Sequence, residues 1–269
     1  MFESFSYIFN KKLVLEIKKI LLVGSGNVAT HLGINLKKNN YIIDQVFSRN
    51  IDNAKDLAQK VDSDFTNNPE KIVESDLTII AINDDSIKDV IHFLPNTATV
   101  HTSGNTNINI LKNNFTNYGV IYPLQSFKKN MELDLNDVPF LIEANTKDFE
   151  NNLKELCSCF SEHTIQMNSL KREKIHMAAV FACNFSNHMQ VIAKEIMDDE
   201  KINYKLIIPL IKKTFSKFEE DPKIKQTGPA IRKDINVLEN HLNLIQKDGY
   251  REIYKLISDS IIKTHDNTN

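Results

Sequence analysis

The sequence predicts an α/β domain with a doubly wound, mostly parallel sheet, followed by a domain made only of helices. Three observations lead to this prediction. Near the start of the chain, an apolar run ends in a glycine-rich turn that opens a helical pattern. Short apolar runs then alternate with helical patterns to about residue 167, which is typical of βαβ units. The remaining patterns are long and helical. We therefore predict two domains, residues 17–167 and residues 168–269.

Composition and charge are ordinary for a globular chain. Of 269 residues, 25% are charged and 41% are apolar, and the net charge of -2 favours neither nucleic acid nor an anionic membrane as partner. The apolar runs are far shorter than the roughly 20 residues of a spanning helix. Three cysteines without a disulfide pattern indicate a reducing cytoplasm. The first residues, 1 to about 16, form an extension without the charge pattern of a signal peptide.

The glycine turn is the strongest local signal. Strand Ile20–Val23 runs into a Gly-x-Gly-x-x-Ala turn, and a helix follows. In such a turn the first glycine permits the bend, the second lets the backbone approach a pyrophosphate, and the helix N-terminus faces the anion. An ordinary strand-turn-helix with glycines is the alternative. We predict a dinucleotide cofactor bound by Gly24, Ser25, Gly26, Asn27 and Val28.

The end of the second predicted strand, residues 41–47, indicates which dinucleotide binds. An acidic residue at this place binds the ribose 2′-hydroxyl of NAD, whereas arginine accommodates the 2′-phosphate of NADP. Here Ser48 and Arg49 offer a hydroxyl and a planar cation. We therefore predict NADP (NADPH) rather than NAD, with an exposed loop arginine as the alternative interpretation.

The later elements follow in order. Residues 76–82 form a nearly continuous apolar strand, as expected when both faces of the sheet are covered. Ligands of open parallel sheets lie beyond the carboxyl ends of the strands, so we place the nicotinamide near His101–Gly104 and predict contacts from Ile82, Asn83, Asp84 and Ser103. Further strands are predicted at residues 97–101, 119–125, 138–143 and 163–166. Helices are predicted at residues 27–38, 52–60, 70–74, 86–93, 146–160, 169–201, 204–218, 229–246 and 250–265.

The helix at residues 169–201 carries a polar face. At about 100° per residue, Cys183 and Asn187 fall close to His176, Asn184 lies further round, and small alanines occupy the opposite face. If the helix is buried, a substrate, a neighbouring subunit or water must satisfy these polar groups. Histidine exchanges protons near neutral pH, so His176 is the candidate general acid. A structural histidine and a zinc site formed with Cys183 and His188 are the alternatives; we predict no metal.

A second polar segment surrounds Gly228-Pro229. The dipeptide predicts a turn, and Pro229 suits the first position of a helix. Arg232 lies one turn into that helix, where a guanidinium could hold a substrate carboxylate or phosphate with two hydrogen bonds. A surface or interface salt bridge is the alternative.

Several motifs together resemble a bacterial family that pairs a Rossmann-like domain with a helical domain of unknown function, numbered 2520. The resemblance covers the chain from about Lys19 and rests on the segments 24–32, 101–104, 122–125, 176–188 and 226–234. The family is similar to the deazaflavin-dependent NADP reductases, and more distantly to pyrroline-5-carboxylate reductase, ketopantoate reductase and the β-hydroxyacid dehydrogenases. The resemblance implies NADP use, a helical dimerisation domain like that of 6-phosphogluconate dehydrogenase, and an active site between the domains.

One departure bears on the reaction. Ketopantoate reductase uses a helical lysine with an asparagine further along the helix, and His176 stands at the corresponding lysine position when counted back from Asn184. We predict an NADP-dependent oxidoreductase acting on a small carbonyl or imine, with His176 donating a proton, Asn184 orienting the substrate and Arg232 holding an anionic group. The alternatives are a non-catalytic NADP-binding sensor and a ketopantoate-reductase-like enzyme. We expect a homodimer formed through the helical domain.

Overall fold

The computed structural model describes residues 16–129, 131, 133–220 and 226–266. Residues 1–15 of the extension predicted before the first strand lie outside the described residues. The chain divides into two compact units between Val180 and Phe181. The domain boundary at residues 167–168 stays a prediction. Among the described residues, no helix is both long and apolar enough to span a membrane.

An eight-stranded sheet forms the centre of the first unit. Its strands are β1 (Lys19–Val23), β2 (Ile42–Phe47), β3 (Asp64–Thr66), β4 (Leu77–Ile80), β5 (Ala98–His101), β6 (Tyr118–Pro123), β7 (Phe140–Ala144) and β8 (Thr164–Gln166). They lie in the order β3-β2-β1-β4-β5-β6-β7-β8. The β6–β7 pair is antiparallel and the other neighbouring pairs are parallel. The first six strands have the order of a doubly wound dinucleotide-binding sheet, so the predicted fold is confirmed.

Helices cover both faces of this sheet. Those of the first unit are α1 (Asn27–Lys38), α2 (Ile51–Val61), α3 (Ile87–Val90), α4 (Lys147–Ser158) and α5 (Ser169–Ala179). Successive side chains of a strand point to opposite faces, and β1 accordingly divides between two cores. Ile20 and Leu22 pack in the core that includes α1, α2 and α4, whereas Leu21 and Val23 pack in the core that includes α3. Both faces of β1 are therefore apolar, as in the predicted buried strands.

In its described part, the second unit contains helices and no β-strand. After a π-helical segment, Val180–Phe185, it contains α6 (Ser186–Asp199), α7 (Ile208–Glu220), α8 (Pro229–Arg232), α9 (Ile235–Leu244) and α10 (Asp248–Asp266). Pro229 occupies the start of α8, where its missing N–H costs no hydrogen bond. The predicted helical domain after the sheet is confirmed.

Several predicted boundaries are wrong, for local reasons. The short strand β3 was not predicted, because an edge strand of three residues carries little periodicity. The helix predicted at residues 70–74 is a 3₁₀ turn, Pro69–Lys71. The helix predicted at residues 86–93 is shortened to α3, after a 3₁₀ turn. The helix predicted at residues 229–246 breaks at Lys233, whose φ of 56° is left-handed.

The π-helical segment corrects the predicted polar face of the long helix. A π-helix holds more residues per turn than an α-helix, so the projection at about 100° per residue does not hold across Val180–Phe185. Cys183, Asn184 and Asn187 are also exposed in this chain. In the single chain, these three side chains of the predicted polar face are therefore in contact with solvent, whereas His176 is half-buried.

Candidate functional site

A cavity of about 710 Å³ opens at the carboxyl ends of the strands in the first unit. This volume lies within the range of about 300–1,000 Å³ that is typical of small-molecule sites. Every residue predicted to bind the cofactor lines the cavity, and His176 does so as well. The predicted residues that line it are Gly24, Ser25, Gly26, Asn27, Val28, Ser48, Arg49, Ile82, Asn83, Asp84, Ser103 and His176.

The two glycines of the turn have different surroundings. Gly24 has a φ of +120°, and a Cβ there would lie 2.2 Å from the carbonyl oxygen of Ala81, just after β4. Its N–H also donates to the carbonyl of Phe47 at 2.8 Å. A Cβ on Gly26 would meet no atom within 4 Å. Gly24 therefore lets the backbone pass close to the sheet, whereas Gly26 leaves open space within the cavity.

The start of helix α1 is suited to an anion. Gly26 caps it without a side-chain hydrogen bond, and its first turn carries no acidic residue. The free N–H groups and the positive end of the helix dipole favour negative charge at this place. Beside it, the Ser25 hydroxyl donates to the Ser48 hydroxyl at 2.8 Å, which links the turn to the end of β2. The exposed Arg49 follows Ser48 at the edge of the same cavity.

The other end of the cavity contains a tyrosine–histidine pair. The Tyr122 hydroxyl lies 2.9 Å from His176 Nδ1, and the rings meet edge to face with their centroids 5.8 Å apart. A Cβ on Gly104 would lie 2.7 Å from His176 Nδ1 and 2.8 Å from Tyr122 Cζ. The absence of a side chain at Gly104 therefore permits both rings to occupy their positions.

Electrostatics keep the phenol of this pair neutral. Burial raises the pKa of Tyr122, and the carboxylate of Asp84 raises it further, whereas the cation of Arg172 lowers it. Because the net shift is upward from a value near 10, Tyr122 carries its proton at neutral pH. The hydroxyl is thus available both to donate and to accept at the histidine nitrogen.

His101 does not face the cavity, although it belongs to a predicted strand end. It is fully buried at the end of β5, and its Nδ1 accepts a hydrogen bond from the Ser103 N–H at 3.2 Å. Burial, followed by the nearby cation of Arg172, lowers the pKa of His101 to about 3. His101 is therefore a neutral core residue, and the following residues of that loop, Thr102 to Gly104, line the cavity.

Asn184 and Arg232 belong to the second unit. Asn184 lies exposed in the π-helical segment. The Arg232 side chain pairs with Asp234, with Nε 2.9 Å and Nη2 2.7 Å from the same carboxylate oxygen. Among the residues that the structure describes, no group of three or more His, Cys, Asp or Glu side chains is arranged to hold a metal ion.

Sequence reasoning missed Tyr122 as a site residue, and it placed Gly104 only within the segment expected near the nicotinamide. The importance of both depends on contact with His176, which the sequence does not show. Position at a strand end is the signal that could have pointed to them: Tyr122 lies near the end of β6 and Gly104 shortly after β5.

Comparison with known proteins agrees with this geometry. Residues 138–261 match the family model described as a domain of unknown function, DUF2520. A crystal structure of a putative NADP oxidoreductase from Bacteroides fragilis is similar at 35% identity, covering 93% of this chain and 99% of that one, with a TM-score of 0.85. No match was found among curated proteins.

Two more distant structures share the fold. A reductive aminase from Aspergillus terreus, solved with NADPH and ethyl-5-oxohexanoate, has 11% identity and a TM-score of 0.69, covering 93% of this chain and 95% of that one. A pyrroline-5-carboxylate reductase from Coxiella burnetii has 15% identity and a TM-score of 0.55, covering 94% and 98%.

The fold and the cavity define a Rossmann-like α/β protein with a helical C-terminal domain. The chain belongs to the family that joins such a Rossmann-like domain to the domain of unknown function DUF2520. The sequence resemblance that predicted this family is therefore confirmed.

Proposed function

We propose that the protein is an NADP-dependent oxidoreductase that transfers hydride to or from a small carbonyl or imine substrate. One observation carries the proposal: a single cavity of the first unit joins the glycine turn and Arg49 to the Tyr122–His176 pair. The name of the Bacteroides fragilis relative, a putative NADP oxidoreductase at 35% identity, supports the same class of reaction.

The residues present fit the cofactor. The open space at Gly26 and the uncapped start of α1 suit the pyrophosphate. Ser48 and Arg49 suit a 2′-phosphate, because the strand end lacks the acidic residue that would bind a free ribose hydroxyl. When bound, NADPH supplies the hydride that reduces the substrate.

The Tyr122–His176 pair is suited to move the proton that accompanies reduction. Reduction of a carbonyl places a hydride on carbon and requires a proton on oxygen, and an imine requires one on nitrogen. The bond from Tyr122 engages Nδ1 of His176 and restrains its ring, so Nε2 is the nitrogen that we assign to the substrate. His176 is thus the proton donor, and Tyr122 holds the imidazole in place.

The cavity also bears on the alternative of a non-catalytic sensor. If side chains filled the space between the glycine turn and His176, a sensor would be favoured, because no substrate could lie between cofactor and histidine. The cavity extends from the glycine turn to His176. Its continuity favours an enzyme, and transfer of deuterium from labelled NADPH to a product would exclude the sensor.

Cofactor choice is tested by binding. We expect isothermal titration calorimetry to show NADPH binding at least about tenfold more tightly than NADH. Arg49→Ala should raise the Kd for NADPH about tenfold, or about 1.4 kcal/mol, by removing a charge-assisted contact to the 2′-phosphate, and should leave NADH almost unchanged. Lys37→Ala, at the far end of α1, is the matched control. Equal affinities for the two cofactors would refute the NADP assignment.

The proton donor is tested after a thermal-shift screen of keto and imino acids with NADPH has identified a substrate. His176→Gln should lower kcat at least about a hundredfold while NADPH affinity changes little, since the side chain acts on the substrate. Turnover that persists in His176→Ala would remove His176 from the mechanism.

Asn184 and Arg232 are proposed to act on the substrate, Asn184 by orienting it and Arg232 by holding an anionic group. In the chain alone, the guanidinium is occupied by Asp234. An anionic substrate would therefore have to compete with Asp234. Arg232→Gln should raise the KM for an anionic substrate and leave the KM of a neutral analogue unchanged.

A second copy of the chain is the proposed partner of the helical unit. In its described part, the buried apolar residues are Ala230 and Leu238, whereas many large apolar side chains are exposed. Exposed apolar area of this kind marks interaction sites. We expect a dimer in sedimentation experiments, and Leu206→Lys with Leu210→Lys should dissociate it. A monomeric wild-type protein at micromolar concentration would contradict the proposal. The exposed large apolar side chains of the helical unit are Phe181, Phe185, Val191, Ile196, Ile202, Leu206, Leu210, Phe215, Ile235, Val237, Leu244, Leu256 and Ile257.

A further inference from the structure

Helix α5 carries a fully buried arginine one turn before His176. The Arg172 Nη1 group donates to Glu143 Oε2 at 2.5 Å, and Nη2 donates to the carbonyl oxygen of Thr106 at 2.5 Å and to Ser169 Oγ at 3.2 Å. Residues four apart lie on the same face of a helix. The bonds that hold Arg172 therefore also set the position of His176 over the cavity.

These bonds end on the two parts of the protein that His176 contacts. Glu143 lies on β7 opposite Val120 of β6, and β6 also carries Tyr122 two residues further on. Thr106 lies two residues after Gly104, in the same loop. The guanidinium thus joins the histidine's helix to the strand pair that supplies the tyrosine and to the loop that supplies the glycine.

Neighbouring hydroxyls hold the same arrangement. Ser169 Oγ donates to Glu143 Oε2 at 2.7 Å and accepts from the N–H of Ile108 at 3.1 Å. Ser103 Oγ accepts from the N–H of Thr106 at 2.8 Å. The loop, the strand and the start of α5 are therefore joined by directional bonds rather than by apolar contact alone.

Stability alone does not explain an ion pair whose arginine is fully buried and whose carboxylate is half-buried. The cost of desolvating a guanidinium and a carboxylate commonly offsets their attraction, and apolar residues of similar size often serve equally well in folding. Directional bonds offer what apolar packing lacks, namely a defined orientation. Such a defined orientation is needed at Arg172, because this residue lies four positions before His176, the proposed proton donor.

We infer that Arg172, paired with Glu143, is a positioning residue that holds His176 in register with Tyr122. The inference rests on the proposed function in one respect, namely that the Tyr122–His176 pair delivers the proton. The structural claim, that the ion pair sets the hydrogen bond at His176 Nδ1, can be tested without any substrate.

The test replaces both charges by apolar residues of similar size, Arg172→Met with Glu143→Leu. If the pair contributed only to folding, apolar packing could replace it, and the double variant would keep the hydrogen bond at His176 Nδ1. We expect the melting temperature to stay close to that of the wild type. Lys147→Met with Glu150→Leu, which removes an ion pair of helix α4, is the matched control.

The readout is the ¹⁵N NMR spectrum of the histidine rings, with His176→Gln used to assign the signals. In the double variant we expect the Nδ1 signal of His176 to move toward that of a free imidazole, whereas the control keeps the wild-type value. An unchanged Nδ1 signal would overturn the inference. If the double variant fails to fold, Arg172→Lys decides, because lysine keeps the charge but lacks the planar fork; an unchanged signal in that variant overturns the inference equally.

Kinetics separate this inference from the proposed function. Once a substrate has been identified, the kcat of the double variant should be at least about tenfold below that of the wild type, while its KM for NADPH stays within about twofold of the wild-type value. Failure of NADPH to bind the wild-type protein would refute the proposed function and leave the NMR result intact. A displaced His176 signal with undiminished kcat would show that the positioning has no catalytic consequence, and would overturn the inference.

Discussion

The two ends of the cavity are built in different ways. The glycine end comes from consecutive residues, Gly24 to Val28, in which the backbone itself forms the site. The histidine end combines Gly104, Tyr122 and His176, which come from a loop, a strand and a helix. The first depends on local backbone conformation, whereas the second depends on the packing of distant side chains.

The glycines show what this difference means. Gly24 is required by a left-handed φ and by the carbonyl of Ala81, and both belong to the backbone. Gly104 is required by two aromatic side chains, which come from elsewhere in the chain. Substitution at the first should therefore damage the fold, and substitution at the second should damage the site.

The largest effect is expected from Gly24→Ala. Its Cβ would lie 2.2 Å from a backbone oxygen that cannot move without disturbing β4, and the φ of +120° strains any L-residue. We expect a loss of about 3 kcal/mol or more in the free energy of unfolding, measured by urea denaturation. A loss below about 1 kcal/mol would contradict the conclusion that the backbone requires glycine at position 24.

Gly26→Ala is the matched control, because a Cβ there meets no atom within 4 Å. We expect about 1 kcal/mol or less of lost stability, with NADPH affinity reduced at least about tenfold since the methyl group enters the phosphate space. The two variants should thus separate stability from binding within one turn.

Gly104→Ala is expected to act on turnover. Its methyl group would lie within 2.8 Å of both rings, so the Tyr122–His176 hydrogen bond should lengthen or break. We expect kcat to fall about a hundredfold, or about 2.7 kcal/mol, with NADPH affinity almost unchanged, measured by stopped-flow oxidation of NADPH. Gly249→Ala, where a Cβ meets open space, should leave kcat unchanged. Equal kcat values for the two variants would contradict the role of Gly104.

A further effect, smaller than those at Gly24 and Gly104, concerns the buried histidine behind that end. The folded-state pKa of His101 is about 3, below the unfolded value of 6.5, so the unfolded chain binds the proton first as pH falls. Stability is therefore fully present above about pH 6.5 and is lost as pH falls toward the folded value. Between about pH 7 and about pH 5 this contributes about 2 kcal/mol of destabilisation.

His101→Asn removes this titration while its side-chain oxygen can still accept from the Ser103 N–H. The difference between wild type and variant in unfolding free energy, measured by urea denaturation across this pH range, isolates the contribution of His101. A parallel pH dependence in both proteins would show that His101 does not titrate on unfolding.

Much of the first end could be predicted from sequence because its signals are local. The apolar strand, the spacing of the glycines and the residues that follow β2 need no knowledge of distant contacts. The turn Gly24 to Val28 and the strand-end residues Ser48 and Arg49 all line the cavity. At the second end, the sequence predicted only His176, because of the chemistry of histidine. Strand order and helix packing determine the rest, namely its partner Tyr122, the space at Gly104 and the ion pair of Arg172.

Predictions based on periodicity failed where the backbone departs from a regular helix or strand. The π-helical segment Val180–Phe185 changes the rotation per residue, and the left-handed Lys233 ends α8 after four residues. Neither has a hydrophobic pattern that would distinguish it from continuous helix. Angular relations between His176 and the polar residues after it therefore could not be obtained by counting.

By itself, the sequence determined the class of fold, the family and the place of the glycine turn, because each is encoded in short patterns and backbone preferences. The tertiary structure decided which polar residues meet. It placed His101 in the core and His176 on the cavity, and it paired Arg172 with Glu143 and Tyr122 with His176. The physical reason is that strand order and helix packing bring together residues whose separation along the chain carries no record of their contact.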